Sequence, residues 1–188
     1  KIPEASIAQQ FKISRTPIRE ALRDLAKDGI INTYPNRFSE VAVYDEDRVK
    51  EVGLVKICLD QMSVKLAAYY GSRAEYEKLC EYAKRCYEAA KKNDILNRIK
   101  ADSDYHWELC KIGKNRSLMQ MEKSLLIQIE YLQAANYLQA EDSEVQYASH
   151  MKIVEALKSG DVESGLREIT EPALQFYNLK TLPAIFYQ

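Results

Sequence analysis

The chain has 188 residues, enough for one large domain or two small ones. Hydrophobic residues make up 46% and charged residues 29%, with six glycines and five prolines, which excludes collagen-like, low-complexity and wholly disordered chains. The net charge is −1, but residues 1–37 hold seven basic and four acidic side chains, so a small basic head precedes an acidic body.

Location is predicted from the apolar runs and the cysteines. No stretch approaches the roughly 18 consecutive apolar residues of a membrane-spanning helix, and no secretion signal begins the chain. The four cysteines show no CxxC spacing and fall within helical apolar patterns, so we expect reduced core thiols. These features predict a cytoplasmic protein without membrane contact.

Residues 1–44 predict a winged helix-turn-helix. A short helix is expected over residues 4–11, and a second helix between Ser14 and Gly29, with Pro17 suited to its first turn. Residues 30–33 and 38–43 predict two strands rich in β-branched residues, joined by a turn. Helix, turn, helix and hairpin follow in the order of a winged helix-turn-helix, with a domain boundary near residue 44.

Residues 45–188 predict about six helices with short connections, which favours an antiparallel helical bundle and a mainly α fold. In the first of these helices the apolar residues at helical spacing are Val52, Val55, Leu59, Met62 and Leu66.

The start of the second helix carries Arg15, Thr16 and Arg19. Free N–H groups at a helix N-terminus attract phosphate, and arginine reaches two acceptors of guanine at once. The alternative is a solvated basic face on an ordinary amphipathic helix. The preceding helix and the wing favour DNA binding.

Polar residues interrupt an apolar stripe in the third bundle helix, which comprises Ile95, Ile99, Asp102, His106 and Leu109. The spacing predicts that Asp102 and His106 both face the core, one turn apart. His150 is likewise in register with apolar residues of the fifth bundle helix. Because burying an unpaired carboxylate costs several kcal/mol, either a structural hydrogen-bonded pair or a metal site is expected.

The motif SRTPIREAL at residues 14–22, followed by residues 25–31, resembles the recognition helix of the GntR transcription regulators. The resemblance implies that Arg15, Thr16 and Arg19 contact bases or phosphates, with Arg37 in the wing as a further contact. A single recognition helix would cover only one half-site, so a homodimer on palindromic operator DNA is expected. Two features depart from the family: Lys12 stands at a turn position often held by glycine, and the wing tip has none. The family's first helix would precede Lys1.

Residues 46–178 resemble the helical FCD effector domain of the FadR branch. Many members hold a divalent metal through an Asp-xxx-His pair, a histidine in a helix ending in a Gly-Asp turn, and a final histidine. Asp102, His106 and His150 match the first three ligand positions, and the fourth falls at Pro172. The resemblance therefore implies a possible zinc, nickel or manganese site with one ligand missing.

The same resemblance implies a small-molecule effector, an organic acid. Lys56 stands where the family often has an arginine facing the effector, although a lysine at a helix edge can also simply pack its stem. Glu168 and Gln175, about one turn either side of Pro172, are conceivable substitute ligands. Four tyrosines are expected near the cavity, either lining it or packing beside it: Tyr105, Tyr131, Tyr137 and Tyr147.

The sequence thus predicts a ligand-responsive transcription regulator and not an enzyme. One alternative is a metal-dependent hydrolase, because three protein ligands with an open position are also the arrangement of catalytic zinc. Another alternative is a DNA-binding scaffold without a ligand, which requires a fully packed bundle.

Overall fold

A computed structural model describes residues 1–35, 37–135 and 143–180, so Asn36 of the wing turn and Tyr137 lie outside the described residues. The chain divides into two compact units, Lys1–Asp45 and Glu46–Gln188. Among the described residues, no helix combines the length and the apolar character needed to cross a membrane.

The first unit has the predicted order of helix, turn, helix and hairpin. Its elements are α1 Glu4–Phe11, α2 Arg15–Lys27, β1 Ile31–Tyr34 and β2 Phe38–Val41. The strands are antiparallel, with Ile31 opposite Val41. Lys12 ends α1 in the left-handed region at φ 55°, and Gly29 follows α2 at φ 77°, so the turn that the sequence placed at Lys12 is present without a glycine.

The second unit contains the six predicted helices, and this confirms the mainly α fold class. They are α3 Glu46–Tyr70, α4 Arg73–Lys91, α5 Ile95–Ile112, α6 Arg116–Ala135, α7 Ser143–Ser159 and α8 Val162–Phe176. A capping box between Ser72 and Glu75 begins α4. Gly160, at φ 76°, allows the tight turn between α7 and α8. The central helix α3 packs against α5, α6 and α8.

The hydrophobic core of the bundle is formed mainly by aliphatic side chains of α3, α4, α5 and α7, including Val64, Leu79, Leu109, Ile112, Ile153 and Val154. All four cysteines are free thiols. Burial raises the pKa of Cys86 to about 12 and that of Cys110 to about 11, so both thiols are protonated at neutral pH.

The apolar stripe predicted for α3 is partly wrong. Val55 and Met62 are 50% and 48% exposed. The buried face runs instead through Val52, Gly53, Lys56, Ile57, Asp60, Ser63, Val64 and Ala67. Hydrophobic periodicity missed this face because two of its members, Lys56 and Asp60, are charged side chains whose burial is stabilised by ion pairing.

Helix α8 continues through Pro172 to Phe176. Proline has no backbone N–H, so the carbonyl of Glu168, four residues earlier, loses its helical donor. The hydroxyl of Ser149 on α7 donates to that carbonyl at 3.0 Å. This contact joins α7 to α8 beside the polar residues described below.

Candidate functional site

The first unit presents an exposed basic face on α2. Arg15, Thr16 and Arg19 are exposed in its first two turns, and Arg37 is exposed after the wing turn. The Nε of Arg19 donates to Glu4 Oε2 on α1 at 3.0 Å. Helix α2 therefore offers a free N-terminus, which suits phosphate, and exposed arginines, which suit the acceptors of guanine.

The bundle brings the three predicted metal ligands together. One ligand atom from each of Asp102, His106 and His150 lies within 4.8 Å of the other two. Asp102 and His106 come from α5 and His150 from α7. Asp102 and His150 are each 5% exposed, so the predicted inward direction is confirmed for these two, and His106 is partly buried.

Asp102 is held by amides as well as by a histidine. Gln133 Nε2 donates to its Oδ2 at 2.5 Å, and Gln146 Nε2 donates to its Oδ1 at 2.9 Å. His150 Nε2 lies 3.4 Å from the same Oδ1. Among the described residues, His150 Nδ1 is buried without a hydrogen-bond partner. The carboxylate is thus well oriented, whereas one imidazole nitrogen lacks a partner.

Tyr105 fixes the His150 ring from the opposite side. Its ring stacks on the imidazole with centroids 4.0 Å apart, and its hydroxyl donates to the His150 carbonyl at 2.9 Å. Tyr105 is fully buried in the core. Of the two roles open to this tyrosine, packing is the one that the structure shows.

A buried group of charges lies next to these ligands. Lys56 Nζ lies 2.5 Å from Asp60 Oδ1 and 2.7 Å from Glu122 Oε1. The same Asp60 oxygen is 3.2 Å from His106 Nδ1. Glu122 is fully buried on α6, and its Oε2 has no partner among the described residues. The charges therefore connect α6, α3 and α5 within the bundle.

Burial opposes charge on these side chains, but pairing outweighs it. Burial alone would lower the pKa of Lys56, yet the carboxylates of Asp60 and Glu122 raise it above its usual range. Burial would raise the pKa of Asp60, yet Lys56 and then His106 lower it to about 2. Lys56 and Asp60 are therefore both ionised at neutral pH.

The two histidines differ in their protonation. Burial lowers the pKa of His150 to about 4, so this ring is neutral near pH 7. Burial acts in the same direction on His106, but the Asp60 carboxylate more than compensates and raises its pKa above the usual value. For Asp102, burial raises the pKa, and the nearby histidines lower it by more, so the carboxylate is ionised.

A cavity of about 140 Å³ is lined by the charged and imidazole groups of Lys56, Asp60, Asp102, His106 and His150. Its polar wall also includes Arg98, Glu168 and Tyr177. Its apolar wall includes Ile99, Ile129, Ile153, Ile169 and Phe176. An engineered cavity of about 150 Å³ in another protein holds benzene, so this volume suits a small organic molecule.

Some of the other residues that the sequence placed near the site line this cavity, and others do not. Lys56, Glu168 and Pro172 line it. Gln175 is exposed on α8 and does not line it, so it is not the substitute ligand considered for the Pro172 position. Tyr147 packs on Tyr87 with ring centroids 5.0 Å apart and also lies outside the cavity wall.

Sequence reasoning missed Asp60, Glu122, Gln133, Gln146 and Tyr177. Asp60 had a signal, because it stands four residues after Lys56 and so shares its helix face. Glu122 is 66 residues from Lys56, and Gln146 is 44 residues from Asp102. No local pattern links such distant residues, and only the packing of the helices brings them together.

A winged helix-turn-helix with an exposed basic helix, joined in one chain to a helical bundle, defines a class of DNA-binding transcription regulators. Residues 54–171 match the FCD domain family, and residues 1–39 match the bacterial regulatory proteins of the gntR family. The chain therefore belongs to the GntR family of transcription regulators, with a C-terminal FCD domain. It is a regulator and not an enzyme, so the hydrolase alternative is wrong.

Relatives with known names support this assignment. The chain is 28% identical to the HTH-type transcriptional regulator YdhC of Bacillus subtilis (strain 168), over 90% of this chain and 76% of that protein. It is 28% identical to a probable D-xylose utilization operon transcriptional repressor of Paenarthrobacter nicotinovorans, over 97% and 78%. It is 24% identical to the Nta operon transcriptional regulator of Aminobacter aminovorans, over 84% and 73%.

Solved structures share the fold at low identity. McbR/YncC of E. coli is similar with a TM-score of 0.79 at 20% identity, covering 95% of this chain and 87% of that one. A GntR transcriptional regulator of Rhodococcus sp. RHA1 is similar with a TM-score of 0.73 at 16% identity, covering 96% and 88%. These likenesses confirm the fold of a winged hairpin followed by six helices.

Proposed function

We propose that this regulator acts in the cytoplasm as a homodimer on a palindromic operator and responds to a small organic acid. The bundle holds a divalent metal and the acid in its cavity. The first unit supplies the DNA contacts. The DNA-binding class follows from the family, whereas the metal, the effector and the dimer are supported by particular residues of the bundle.

The observation that carries the metal proposal is an imbalance of buried charge. The ammonium of Lys56 binds the carboxylates of Asp60 and Glu122, and Asp102 lies close enough for Lys56 to lower its pKa. Each of these three carboxylates is at most 5% exposed. Lys56 brings a single ammonium to these carboxylates, and buried carboxylates that are not fully compensated are costly. A divalent cation would balance them.

The ligand set fits such a cation. Asp102, His106 and His150 offer one carboxylate oxygen and two imidazole nitrogens, a donor set that suits zinc, nickel or manganese. Nδ1 of His150 is buried and has no hydrogen-bond partner among the described residues, which supports a role as a metal ligand. At the fourth position Pro172 has no ligand atom, which leaves room there for water or an effector oxygen. A metal bound here would supply a positive centre for an anionic ligand.

The cavity supports an effector over the ligand-free scaffold, which requires a fully packed bundle. Lys56 has three donors and gives two to Asp60 and Glu122, and among the described residues the third has no recorded acceptor, so it could bind an effector carboxylate. The half-buried Arg98 adds a second cation to the cavity wall. A bound metal would make the site favourable for an anion.

Thermal shift tests this proposal directly. The chelator-treated protein is heated with zinc, nickel or manganese, alone and with a panel of small carboxylic acids. We expect a metal to raise the melting temperature and an acid of the panel to raise it further, because metal and effector should strengthen each other's binding. Asp102→Ala should abolish the metal response. Asp104→Ala, on the same helix outside the ligand set, should retain it.

The DNA contacts proposed are Arg15, Thr16, Arg19 and Arg37, which are all exposed in the first unit. Phosphate contacts release counterions, so operator binding should weaken steeply as salt rises. A flat salt response would contradict the proposed contacts.

The proposed dimer uses the outer face of α3. Val55, Met62 and Tyr69 repeat every seven residues there and are 50%, 48% and 79% exposed. A heptad spacing on an exposed face suits pairing with the same helix of a second copy. One recognition helix covers only one half-site, so a second copy would supply the other. Light scattering at micromolar concentration should show a dimer, and Met62→Lys should shift it towards the monomer.

A further inference from the structure

The buried charged side chains of α3 contact a proposed metal ligand without being ligands themselves. Asp60 is not one of the three converging ligands. Its Oδ1 nevertheless lies 3.2 Å from Nδ1 of the ligand His106, and it is held at 2.5 Å by Lys56. Lys56 is in turn anchored to Glu122 on α6 at 2.7 Å. A carboxylate fixed by a neighbouring helix therefore contacts one ring nitrogen of a ligand.

We propose that Asp60 is a positioning residue that fixes the tautomer and orientation of His106 for metal binding. An ionised carboxylate only accepts hydrogen bonds, so Nδ1 of His106 must carry the ring proton and donate it. The other nitrogen, Nε2, then keeps its lone pair for a metal. This inference rests on the proposed function, because it concerns how a ligand of that site is prepared.

The contact between Lys56 and Asp60 makes this role specific. Without an anchor, the Asp60 side chain could turn away from His106 into the cavity. Lys56 binds the same oxygen that accepts from His106, and Glu122 fixes the lysine from α6. Helices α3 and α6 thus hold the acceptor in place, and the imidazole on α5 is oriented before any ligand enters.

A double-mutant cycle with Co²⁺ as the probe tests the proposal. Visible absorption measures Co²⁺ affinity in chelator-treated wild type, Asp60→Asn, His106→Ala and the double variant. Loss of a positioning carboxylate should weaken Co²⁺ binding about 10–100-fold when His106 is present. In the His106→Ala background the same change should have almost no effect, because Asp60 acts through that ring. A purely structural role would weaken binding in both backgrounds.

The matched control is Asp104→Asn. It removes the carboxylate of another lysine–aspartate pair of the same spacing, with Lys100 on α5, where Nζ and Oδ1 are 3.6 Å apart. We expect its Co²⁺ affinity to equal that of the wild type. Far-UV circular dichroism accompanies each titration. If Asp60→Asn does not fold, the cycle is repeated with Asp60→Glu, which keeps the charge for Lys56 but displaces the acceptor from Nδ1.

The outcomes separate the inference from the proposed function. Unchanged affinity in Asp60→Asn, or an equal loss with and without His106, overturns the positioning role while leaving the metal site in place. A folded wild-type protein that binds no Co²⁺ overturns the metal site and, with it, the inference. A loss confined to the background that contains His106 supports both.

Discussion

The two units carry their functional charges in opposite surroundings. In the first unit, Arg19 pairs with Glu4 while 61% and 24% of their side chains are exposed. In the bundle, Lys56 pairs with Asp60 and Glu122, and none of these side chains is more than 4% exposed. An exposed pair opens at little cost and can exchange its partner for DNA, whereas a buried pair is costly to break. The exposed pair therefore leaves Arg19 available for contact with DNA. The buried group holds its charged side chains in fixed positions beside the cavity.

The largest expected effect comes from breaking the buried group. Lys56→Met leaves the carboxylates of Asp60 and Glu122 without their common cation, and removal of one partner of a buried pair typically costs about 3–5 kcal/mol. Urea unfolding of the metal-free protein measures the loss. The fluorescence of Trp107, the single tryptophan of the chain, reports the bundle because it lies in α5.

The matched control is Lys84→Met on α4. Its partner Glu88 is exposed, with Nζ and Oε1 3.9 Å apart. The unfolding free energy should change by less than about 0.5 kcal/mol, as for most surface substitutions. Equal effects of the two lysine substitutions would show that burial does not distinguish the two kinds of ion pair.

The next effect is the pH dependence of metal binding, to which the two histidines should contribute differently. Protons and metal compete for the same imidazole nitrogens, so affinity falls as pH falls. Because the pKa of His106 is raised above 6.5, competition should begin above pH 6.5. The pKa of His150 is about 4, so its ring competes only near that pH.

Co²⁺ affinity should therefore fall roughly tenfold per pH unit between about pH 6 and pH 5, which corresponds to one competing proton. Titrations at several pH values measure this slope. A hundredfold change per unit would mean that both histidines titrate there, contrary to the different surroundings of the two rings. Affinity independent of pH would mean that neither histidine binds the metal.

The candidate metal ligands of the bundle could be predicted from the sequence because they interrupt a regular apolar pattern. Asp102, His106 and His150 interrupt apolar stripes, so their inward direction could be inferred from spacing. The buried face of α3 could not be inferred from spacing, because charged side chains such as Lys56 and Asp60 are expected at the surface unless a buried partner is known. That partner, Glu122, becomes a neighbour only when α6 packs against α3.

The first unit was more accessible to sequence reasoning. Its turn residues, helix caps and strands act over a few neighbours, so the bounds of α1 were predicted correctly, and the strands differ by one or two residues at each shifted end. The contact between Arg19 and Glu4 was not predicted, because it joins two helices 15 residues apart in sequence. Local sequence patterns predict individual helices and strands, whereas contacts between these elements are known only from the folded structure.

A smaller effect is expected from removing an exposed arginine of the first unit. Arg19→Ala should weaken operator binding by about 1–3 kcal/mol if the arginine reads a base edge, while the bundle stays folded. The operator is first selected from random duplexes, and affinities are compared at matched salt. Arg23→Ala, one turn further along α2, serves as the control and should give a smaller loss that depends little on sequence. Unchanged affinity in Arg19→Ala would remove this residue from the DNA contacts.

The smallest effect is expected from Glu4→Gln, which keeps Arg19 but removes its anchor. The exposed pair contributes less than about 1 kcal/mol to stability, so the fold should be unaffected. Two opposing changes are expected in DNA binding. Loss of a negative charge beside the phosphates should strengthen binding to unrelated duplexes. Loss of the 3.0 Å contact with Nε should let the guanidinium turn, which weakens base reading at the operator.

The ratio of operator to unrelated affinity should therefore fall in Glu4→Gln, even though the variant is more basic. Asp24→Asn is the matched control, since Asp24 is an exposed carboxylate on α2 that pairs with Lys27 and not with Arg19. It should raise binding to both kinds of duplex by similar factors and leave the ratio unchanged. Fluorescence anisotropy with both duplexes measures the ratio. If the two variants behave alike, Glu4 acts only through its charge, and the exposed pair does not orient Arg19.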